Sequence, residues 1–240
     1  FTQGMITHKT YKTVNDEWIM PREVYLNEGK LFREKTNEIV IEGPSEKMSK
    51  SKKNVIEPDE ILENYGIDAT RFFMISDSPP DRELEWTDEG IQGSKNLVRR
   101  IDKYFKESRT DTKHDTNKMI EKFVFNIEKN ILNFSLNKCV ADIYTLFNYL
   151  EKEKIYLGNS DLSKKILVCL YPIIPSMVLN LYMDLFNSKN IEKWPEINKE
   201  LLIETRINLP IQVQGKLITT INTEKGYTEN EILNSIYKLN

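Results

Sequence analysis

The sequence has 240 residues, a formal net charge of −3, and 39% hydrophobic and 30% charged residues. This composition is typical of a soluble globular protein with one or two domains. No apolar run is long enough to span a membrane, and the acidity argues against a general nucleic-acid binder, although it is compatible with a local basic face.

The cysteines and histidines show no spacing typical of a metal site. Cys139 and Cys169 lie far apart in apolar helical patterns, which indicates small core residues in a reducing compartment. His8 and His114 are predicted to be ordinary surface side chains. We therefore expect a cytoplasmic protein without a membrane partner or a protein-bound metal.

Residues 11–43 form a predicted β-rich segment. The short runs EWIM, EVYL and EIVI have the composition of extended strands, and NEGK at 27–30 is typical of a hairpin turn. The pattern indicates a small β insert just ahead of a stretch rich in lysine and serine.

Two short helices are predicted after that stretch. Pro58 suits the first position of a helix, and Gly66 suits its C-terminal end. Asp68 is predicted to cap a second helix over 69–75. The run SDSPPD at 76–81 then breaks the chain.

A longer helix is predicted from its N-cap Thr87 to about Lys106. At 100° per residue its apolar side chains cluster on one side. Lys95, Arg99, Lys103 and Lys106 cluster on the opposite side. That basic face is either a solvated surface or a nucleic-acid contact, and the pattern alone favours neither.

Further helices with apolar faces predict an antiparallel helical bundle. The first begins at Thr116, and a continuation follows a cap at Ser135. The last helix is predicted over about 162–186, with kinks at Pro172 and Pro175.

The end of the chain predicts a small α+β unit. The run INLPIQVQG alternates apolar and polar residues, as a strand does. Gly215 and Lys216 are predicted to form a turn before a second strand that runs through Ile221. Thr228 and Glu231 then have the spacing of a capping box, which predicts a final helix.

The stretch EKMSKSKK places Lys47 and Lys50 three residues apart, with Ser49 and Ser51 beside them. Flanking prolines and an asparagine predict a loop rather than a helix. Two ammonium groups and two hydroxyls in a mobile loop can surround the oxygens of a triphosphate. Their benefit is greatest where negative charge builds toward a departing pyrophosphate.

The alternative for this stretch is a solvated charge run without a partner. Met48 counts against that alternative, because an apolar side chain needs a place to pack.

The five letters KMSKS at 47–51 resemble the second signature of class I aminoacyl-tRNA synthetases. The patterns N-x-x-x-P-D and Y-G-x-D-A-x-R that follow resemble the subgroup of leucyl, isoleucyl, valyl and methionyl enzymes. Bacterial leucyl-tRNA synthetases provide the best resemblance, and it covers essentially the whole chain. It rests on the runs FTQGM, SDSPPDRELEW, GIQGSKNLVRR, WPEINKELL and IQVQGKL.

The resemblance implies ATP-dependent joining of leucine to tRNA. It implies that Lys47 and Lys50 hold ATP phosphates, with Lys50 the stronger catalytic candidate. Ser49 and Ser51 would shape the loop and donate hydrogen bonds, and Met48 would anchor it. Magnesium is expected on the ATP phosphates.

The resemblance also implies a tRNA-facing helical bundle. Lys95, Arg99 and Lys103 would then contact the phosphate backbone, which positions the RNA without reading its sequence. Leucine would bind through an upstream domain, and the enzyme is expected to be a monomer.

The architecture that the resemblance implies is mainly α, with four segments. Residues 1–57 would form the end of a class I catalytic domain, which carries the β insert (11–43) and the KMSKS loop (47–51). Residues 58–86 would form a stem-contact region, and residues 87–190 would form an antiparallel bundle of the anticodon-binding type. Residues 191–240 would form a linker and a partial α+β domain.

Some features depart from the resemblance. The first class I signature, of the His-x-Gly-His type, does not occur, and the first residue is Phe1 rather than Met. We therefore expect the C-terminal part of a longer enzyme, incomplete and inactive by itself. Ser176 stands where the family usually has His, and Ile218 stands where it often has Arg.

Three other interpretations compete with this one. The chain could be a non-catalytic fragment that binds tRNA, or part of an isoleucyl or valyl enzyme, against which RELEW and IQVQGK argue. A helical scaffold without an RNA partner does not explain the lysine- and serine-rich loop.

Overall fold

The computed structural model describes residues 4–107, 114–203, 206–213, 215–227 and 230–233. The chain divides into two compact units, residues 1–196 and 197–240. The first unit combines an antiparallel sheet with helices, and the second contains a β-hairpin.

A six-stranded sheet occupies the start of the first unit. Its strands are β1 (Ile6–Thr13), β2 (Trp18–Ile19), β3 (Val24–Asn27), β4 (Lys30–Arg33), β5 (Ile39–Lys47) and β6 (Leu84–Glu85). Five strands follow the antiparallel order β2-β1-β5-β4-β3, and β6 pairs in parallel with the start of β1. The sheet therefore extends beyond the predicted segment 11–43 at both ends, because β1 and β5 pair from Thr7↔Lys47 to Thr13↔Val40.

The predicted hairpin turn joins β3 to β4. Asn27 pairs with Lys30, and the two residues between them have positive φ, 49° at Glu28 and 77° at Gly29. Left-handed backbone at both central positions matches the twist of the flanking strands, and glycine adopts it without steric cost. The turn prediction is confirmed.

The helices α1 (Pro58–Tyr65) and α2 (Ile67–Ser76) lie between β5 and β6, and α3 (Asp88–Lys106) follows β6. Gly66 ends α1 with φ of 84°, and its N–H donates to the Leu62 carbonyl at 3.0 Å. Thr87 Oγ1 accepts a hydrogen bond of 3.1 Å from the Gly90 N–H at the start of α3. The predicted ends of α1 and α3 are confirmed.

The remaining helices of the first unit are α4 (His114–Leu132), α5 (Leu136–Lys152), α6 (Asp161–Leu170) and α7 (Pro175–Phe186). The amides of Asn126 and Asn130 donate to the two carboxylate oxygens of Asp142 at 3.0 and 2.8 Å, which links α4 to α5. The predicted start of α4 at Thr116 is two residues late. Ser135 precedes α5, but its side chain makes no capping hydrogen bond.

The predicted single helix over 162–186 is wrong, because the chain breaks into α6 and α7 rather than bending. Pro172 lacks the N–H that a continuous helix needs, and Pro175 takes the first position of α7. Arg71 of α2 donates to the carbonyls of Pro172 at 2.8 Å and Ile173 at 3.2 Å. Two backbone carbonyls that the break leaves without helical partners therefore accept hydrogen bonds from a side chain of another helix.

Asp68 contributes to the same break. It was predicted to cap its own helix, but α2 begins one residue earlier, at Ile67, and Asp68 lies inside its first turn. The buried Asp68 carboxylate instead accepts from the N–H groups of Ser176 at 3.1 Å and Met177 at 2.6 Å. Asp68 thus caps α7, and Ser176 takes part through its backbone.

The two cysteines are free and buried, as predicted. Burial raises the pKa of the Cys139 thiol to about 11 and raises the pKa of Cys169 further. Both thiols therefore stay protonated near neutral pH and behave as small core side chains.

The second unit contains a hairpin of β7 (Arg206–Val213) and β8 (Lys216–Glu224), with Gly215 at φ 79° in the turn. The predicted strand pair is confirmed, but Lys216 was predicted to lie in the turn and is instead the first residue of β8, where it pairs with Val213. Ile218 is exposed on β8. The capping box of Thr228 and Glu231 falls outside the described residues, since Thr228 is not among them.

Candidate phosphate-binding loop and basic helix face

The lysine- and serine-rich stretch begins at the end of β5. Lys47 is the last residue of this strand and pairs with Thr7, so the predicted loop does not include it. Pairing with β1 continues up to Lys47 because the partner strand begins at Ile6. Residues 48–57 then connect β5 to α1 without helix or strand, and the side chains of Lys47 and Lys50 are both exposed.

Asn54 fixes the start of this loop, a role that the sequence prediction missed. It is fully buried, and its Oδ1 accepts from the Ser49 N–H at 2.8 Å. Its side-chain amide donates to the carbonyls of Glu46 at 3.1 Å and His8 at 3.2 Å and lies 3.5 Å from that of Lys47. One buried amide therefore ties the loop to both β1 and β5. The only sequence signal was its place in N-x-x-x-P-D.

Met48 packs beneath the loop. Its half-buried side chain contacts a hydrophobic cluster, and Ile56 packs against the same cluster from the other end of the loop. The buried members of the cluster are Phe73, Leu84, Trp86 and Ile91. Both ends of the loop are thus held by apolar packing, which opposes a freely solvated charge run.

The two serines interact within the loop itself. Their hydroxyl oxygens lie 3.3 Å apart, and the Lys52 N–H donates to Ser49 Oγ at 3.4 Å. The Lys53 N–H donates to the Lys50 carbonyl at 3.2 Å, and Lys53 has φ of 54°. The serines therefore stabilise a tight turn that projects Lys50 from its corner.

Lys50 borders a cleft of about 630 Å³ between the sheet and α1. Its walls include Tyr11 of β1, Asn64 and Tyr65 of α1, and Trp86. In the part of the chain that the structure describes, Lys47, Met48, Ser49 and Ser51 do not line it. The structure therefore separates the five residues of the motif: Lys50 faces the cleft, and the others form or support the turn.

Neighbouring carboxylates distinguish the lysines of the loop. Lys52 forms an ion pair with Glu46, and Lys53 Nζ lies 3.8 Å from Glu17 Oε1. Among the described residues, neither Lys47 nor Lys50 has such a partner. These two ammonium groups are the ones whose charge is available to an anionic ligand.

His8 lies in β1 and is buried, so the prediction of a surface histidine is wrong for this residue. Its burial lowers the pKa of the imidazole, and Asp88 opposes that shift. His8 Nδ1 has no hydrogen-bond partner among the described residues, and the side chain borders the cleft of Lys50. No strand was predicted over 6–10, so nothing in the sequence pattern indicated that this residue is buried. The side chain of His114 is outside the described set.

The four basic side chains on the outer face of α3 make different contacts. Arg99 and Lys103 are exposed and border a cleft of about 440 Å³ together with Tyr156. Lys95 does not border this cleft and instead donates to the Asn64 carbonyl of α1 at 2.5 Å. Lys106 pairs with Asp102 at 2.8 Å. The structure therefore brings Arg99 and Lys103 together but separates Lys95 from them.

The described residues contain neither a membrane-spanning helix nor a metal-binding cluster. None of their helices is both long and apolar enough to cross a membrane. No group of three or more His, Cys, Asp or Glu side chains in these ranges could hold a metal ion.

A family model and individual relatives both indicate similarity to class I tRNA synthetases. The family model described as "tRNA synthetases class I (I, L, M and V)" matches residues 28–87, which include the loop, α1 and α2. A leucine–tRNA ligase of Zymomonas mobilis is 35% identical over 237 residues, which cover 96% of this chain and 28% of the relative. That of Rickettsia typhi is 34% identical over 246 residues, covering 97% and 30%.

A solved structure shares the fold. The LeuRS of Agrobacterium radiobacter K84, crystallised as a ternary complex of LeuRS, tRNA and LeuAMS, aligns with 79% of this chain and 27% of its own, with a TM-score of 0.60 and 22% identity. The chain thus spans 28–30% of the length of the two ligases described above.

Proposed function

Because this chain belongs to the leucyl-tRNA synthetase family of class I tRNA synthetases, we propose that it supplies the ATP-phosphate loop and a tRNA-contacting surface of a leucine–tRNA ligase. The observation that carries the proposal is Lys50, an exposed ammonium group without an ion pair among the described residues, on a turn fixed by Asn54 and bordering a cleft.

The proposed reaction has two steps. The leucine carboxylate attacks the α-phosphorus of ATP, the bond to the β-phosphate breaks, and pyrophosphate leaves. A terminal hydroxyl of the tRNA then attacks the leucyl carbonyl, loses its proton, and AMP leaves. Lys50 would stabilise the charge that builds on the departing pyrophosphate, since a positioned cation acts most strongly on charge that develops in the transition state.

The other loop residues have supporting roles in this proposal. Lys47 would contact the same phosphates from the end of β5, and Met48 would anchor the loop in its cluster. Ser49 and Ser51 would hold the turn through their close hydroxyls. Magnesium would arrive on the ATP phosphates as part of the substrate.

Each segment of the chain has its own proposed role. Residues 1–57 would complete a catalytic domain, with the insert 11–43 beside the loop, and 58–86 would form the stem-contact region. Residues 87–190 would form the tRNA-facing bundle, and 191–240 would contribute a linker and a C-terminal domain. The ligase would act as a monomer.

Amino-acid activation tests the proposed function. In a full-length leucine–tRNA ligase carrying this segment, we expect ATP–pyrophosphate exchange that depends on leucine and not on isoleucine or valine. Exchange with isoleucine or valine instead would assign the segment to a neighbouring member of the class. The absence of exchange, together with tRNA binding, would support a non-catalytic RNA-binding protein.

Arg99→Ala should weaken tRNA binding and flatten its salt dependence. If Arg99 contacts a tRNA phosphate, binding releases a counterion, and the slope of log affinity against log salt should fall by about 0.7–0.9. Discrimination among tRNAs should barely change, since a phosphate contact carries no sequence information. Filter binding at several salt concentrations measures both quantities.

Arg99→Lys is the matched control, because it keeps the charge and should keep the slope. A solvated surface arginine predicts a different outcome: Arg99→Ala would change neither affinity nor slope, and the proposed RNA contact would then be rejected.

A further inference from the structure

Lys95 makes its contacts on α1 rather than on the outer face of α3. Its Nζ donates to the Asn64 carbonyl at 2.5 Å and lies 5.5 Å from the centre of the Tyr65 ring. The side chain is half-buried, whereas Arg99 one turn later is exposed. Lys95 is therefore already engaged with the protein.

Asn64 lies in the last turn of α1, where backbone carbonyls have no partner within the helix. A lysine that donates to such a carbonyl also interacts favourably with the negative end of the helix dipole. The Tyr65 ring adds a cation–π contact from the same direction. Lys95 thus fastens the C-terminal turn of α1 to α3.

The fastened turn connects directly to the loop. Tyr65 and Met48 pack against the same hydrophobic cluster, which also includes Ile91 of α3. Asn64 and Tyr65 line the cleft that Lys50 borders. A shift of the α1 C-terminus would therefore move one wall of this cleft and the support of Met48 together.

We propose that Lys95 is a positioning residue: it holds the end of α1, and through Tyr65 and Met48 it sets the position of the loop that carries Lys50. This inference rests on the proposed function for its catalytic consequence, but the structural coupling stands on the contacts alone. It removes Lys95 from the RNA-contacting face and leaves that face to Arg99 and Lys103.

Hydrogen exchange on the 240-residue chain tests the coupling without any activity. Lys95→Ala should speed amide exchange in residues 48–57 and 61–66 by about fivefold, the effect on local opening of losing one solvent-exposed hydrogen bond. Lys95→Met keeps the aliphatic stem but removes the donor, so it should show the same faster exchange. Unchanged exchange in 48–57 for both variants would overturn the proposal.

Two readouts in a full-length leucine–tRNA ligase carrying this segment separate Lys95 from an RNA contact. Lys95→Ala should lower the rate of leucine-dependent pyrophosphate exchange by about fivefold, the effect of losing one hydrogen bond that positions the loop, and should leave the salt slope of tRNA binding unchanged. A slope flattened as in Arg99→Ala would return Lys95 to the RNA face and reject the proposal.

The failure of this inference can be distinguished from the failure of the proposed function. If Lys50→Ala leaves activation unchanged, the catalytic role of the loop is wrong, while the hydrogen-exchange result for Lys95 still decides the structural coupling. If Lys50→Ala abolishes leucine activation, and Lys95→Ala changes neither hydrogen exchange in the loop nor the rate of pyrophosphate exchange, only the proposed coupling is wrong.

Discussion

Lys50→Ala is expected to slow leucyl-adenylate formation by about 10²–10³ in a full-length leucine–tRNA ligase carrying this segment, the usual cost of one lost transition-state donor. Lys50 is exposed at the corner of a turn, so its truncation should not disturb the fold. ATP affinity in the ground state should change much less, because the ammonium group matters most as charge moves to the leaving pyrophosphate. Rapid-quench measurement of adenylate formation gives the rate.

Lys30→Ala provides the control for the loss of one positive charge. Lys30 is exposed at the start of β4, on the hairpin and outside the loop, so its variant should keep the normal rate. A decrease of less than about threefold for Lys50→Ala would lie far below the cost of a lost transition-state contact and would reject the catalytic role.

Asp68→Ala is expected to produce the largest loss of stability, about 2–4 kcal/mol in the free energy of unfolding. The buried carboxylate is the acceptor for two amides at the start of α7, those of Ser176 and Met177. Alanine leaves both N–H groups without this acceptor, and water reaches the N–H of the buried Met177 poorly. Urea denaturation, followed by circular dichroism, measures the change.

Asp68→Asn and Asp77→Ala complete the experiment. Asparagine keeps one acceptor and the side-chain shape but removes the charge at the helix N-terminus, so it should cost only about 1 kcal/mol. Asp77 is exposed just after α2, and its truncation should stay within about 0.5 kcal/mol. If Asp68→Ala costs no more than Asp77→Ala, the capping role is wrong.

The candidate site illustrates which features could be read from local sequence. The KMSKS letters correctly indicated a loop at Lys50, and Met48 correctly indicated that this loop packs against apolar side chains. Sequence reasoning placed both Lys47 and Lys50 in the loop, because their separation of three residues says nothing about strand pairing. The structure differs at Lys47, which stays in β5 because Thr7 pairs with it from the start of the chain.

The burial of Asn54 and of His8 could not be predicted from local sequence. A buried asparagine that joins β1, β5 and the loop needs partners from three places, one of them 46 residues away. His8 is buried because the chain adds a strand before residue 11, and the sequence offered no clear strand pattern there. Neither residue has a local pattern that distinguishes it from a surface side chain.

Features that depend on a few consecutive residues could be predicted without the structure. Gly29 allows the left-handed turn of the hairpin, Thr87 caps α3, and Gly66 ends α1, since each acts on the backbone of its own neighbours. Helical spacing likewise identified the buried face of α3, because a helix repeats its orientation every 3.6 residues.

The partners of the polar side chains on the helices depend instead on how the helices pack against one another. Lys95 lies on the same helical face as Arg99 and Lys103, for which an RNA contact is proposed, yet it turns to α1 because an unpaired carbonyl and an aromatic ring lie within its reach. Asp68 had the sequence of a local cap, yet it caps α7, 108 residues along the chain. Helical periodicity predicts the direction in which a side chain leaves the helix axis, but it does not predict which groups of other elements lie in that direction. A charged side chain then binds the partner within reach that best satisfies its hydrogen bonds.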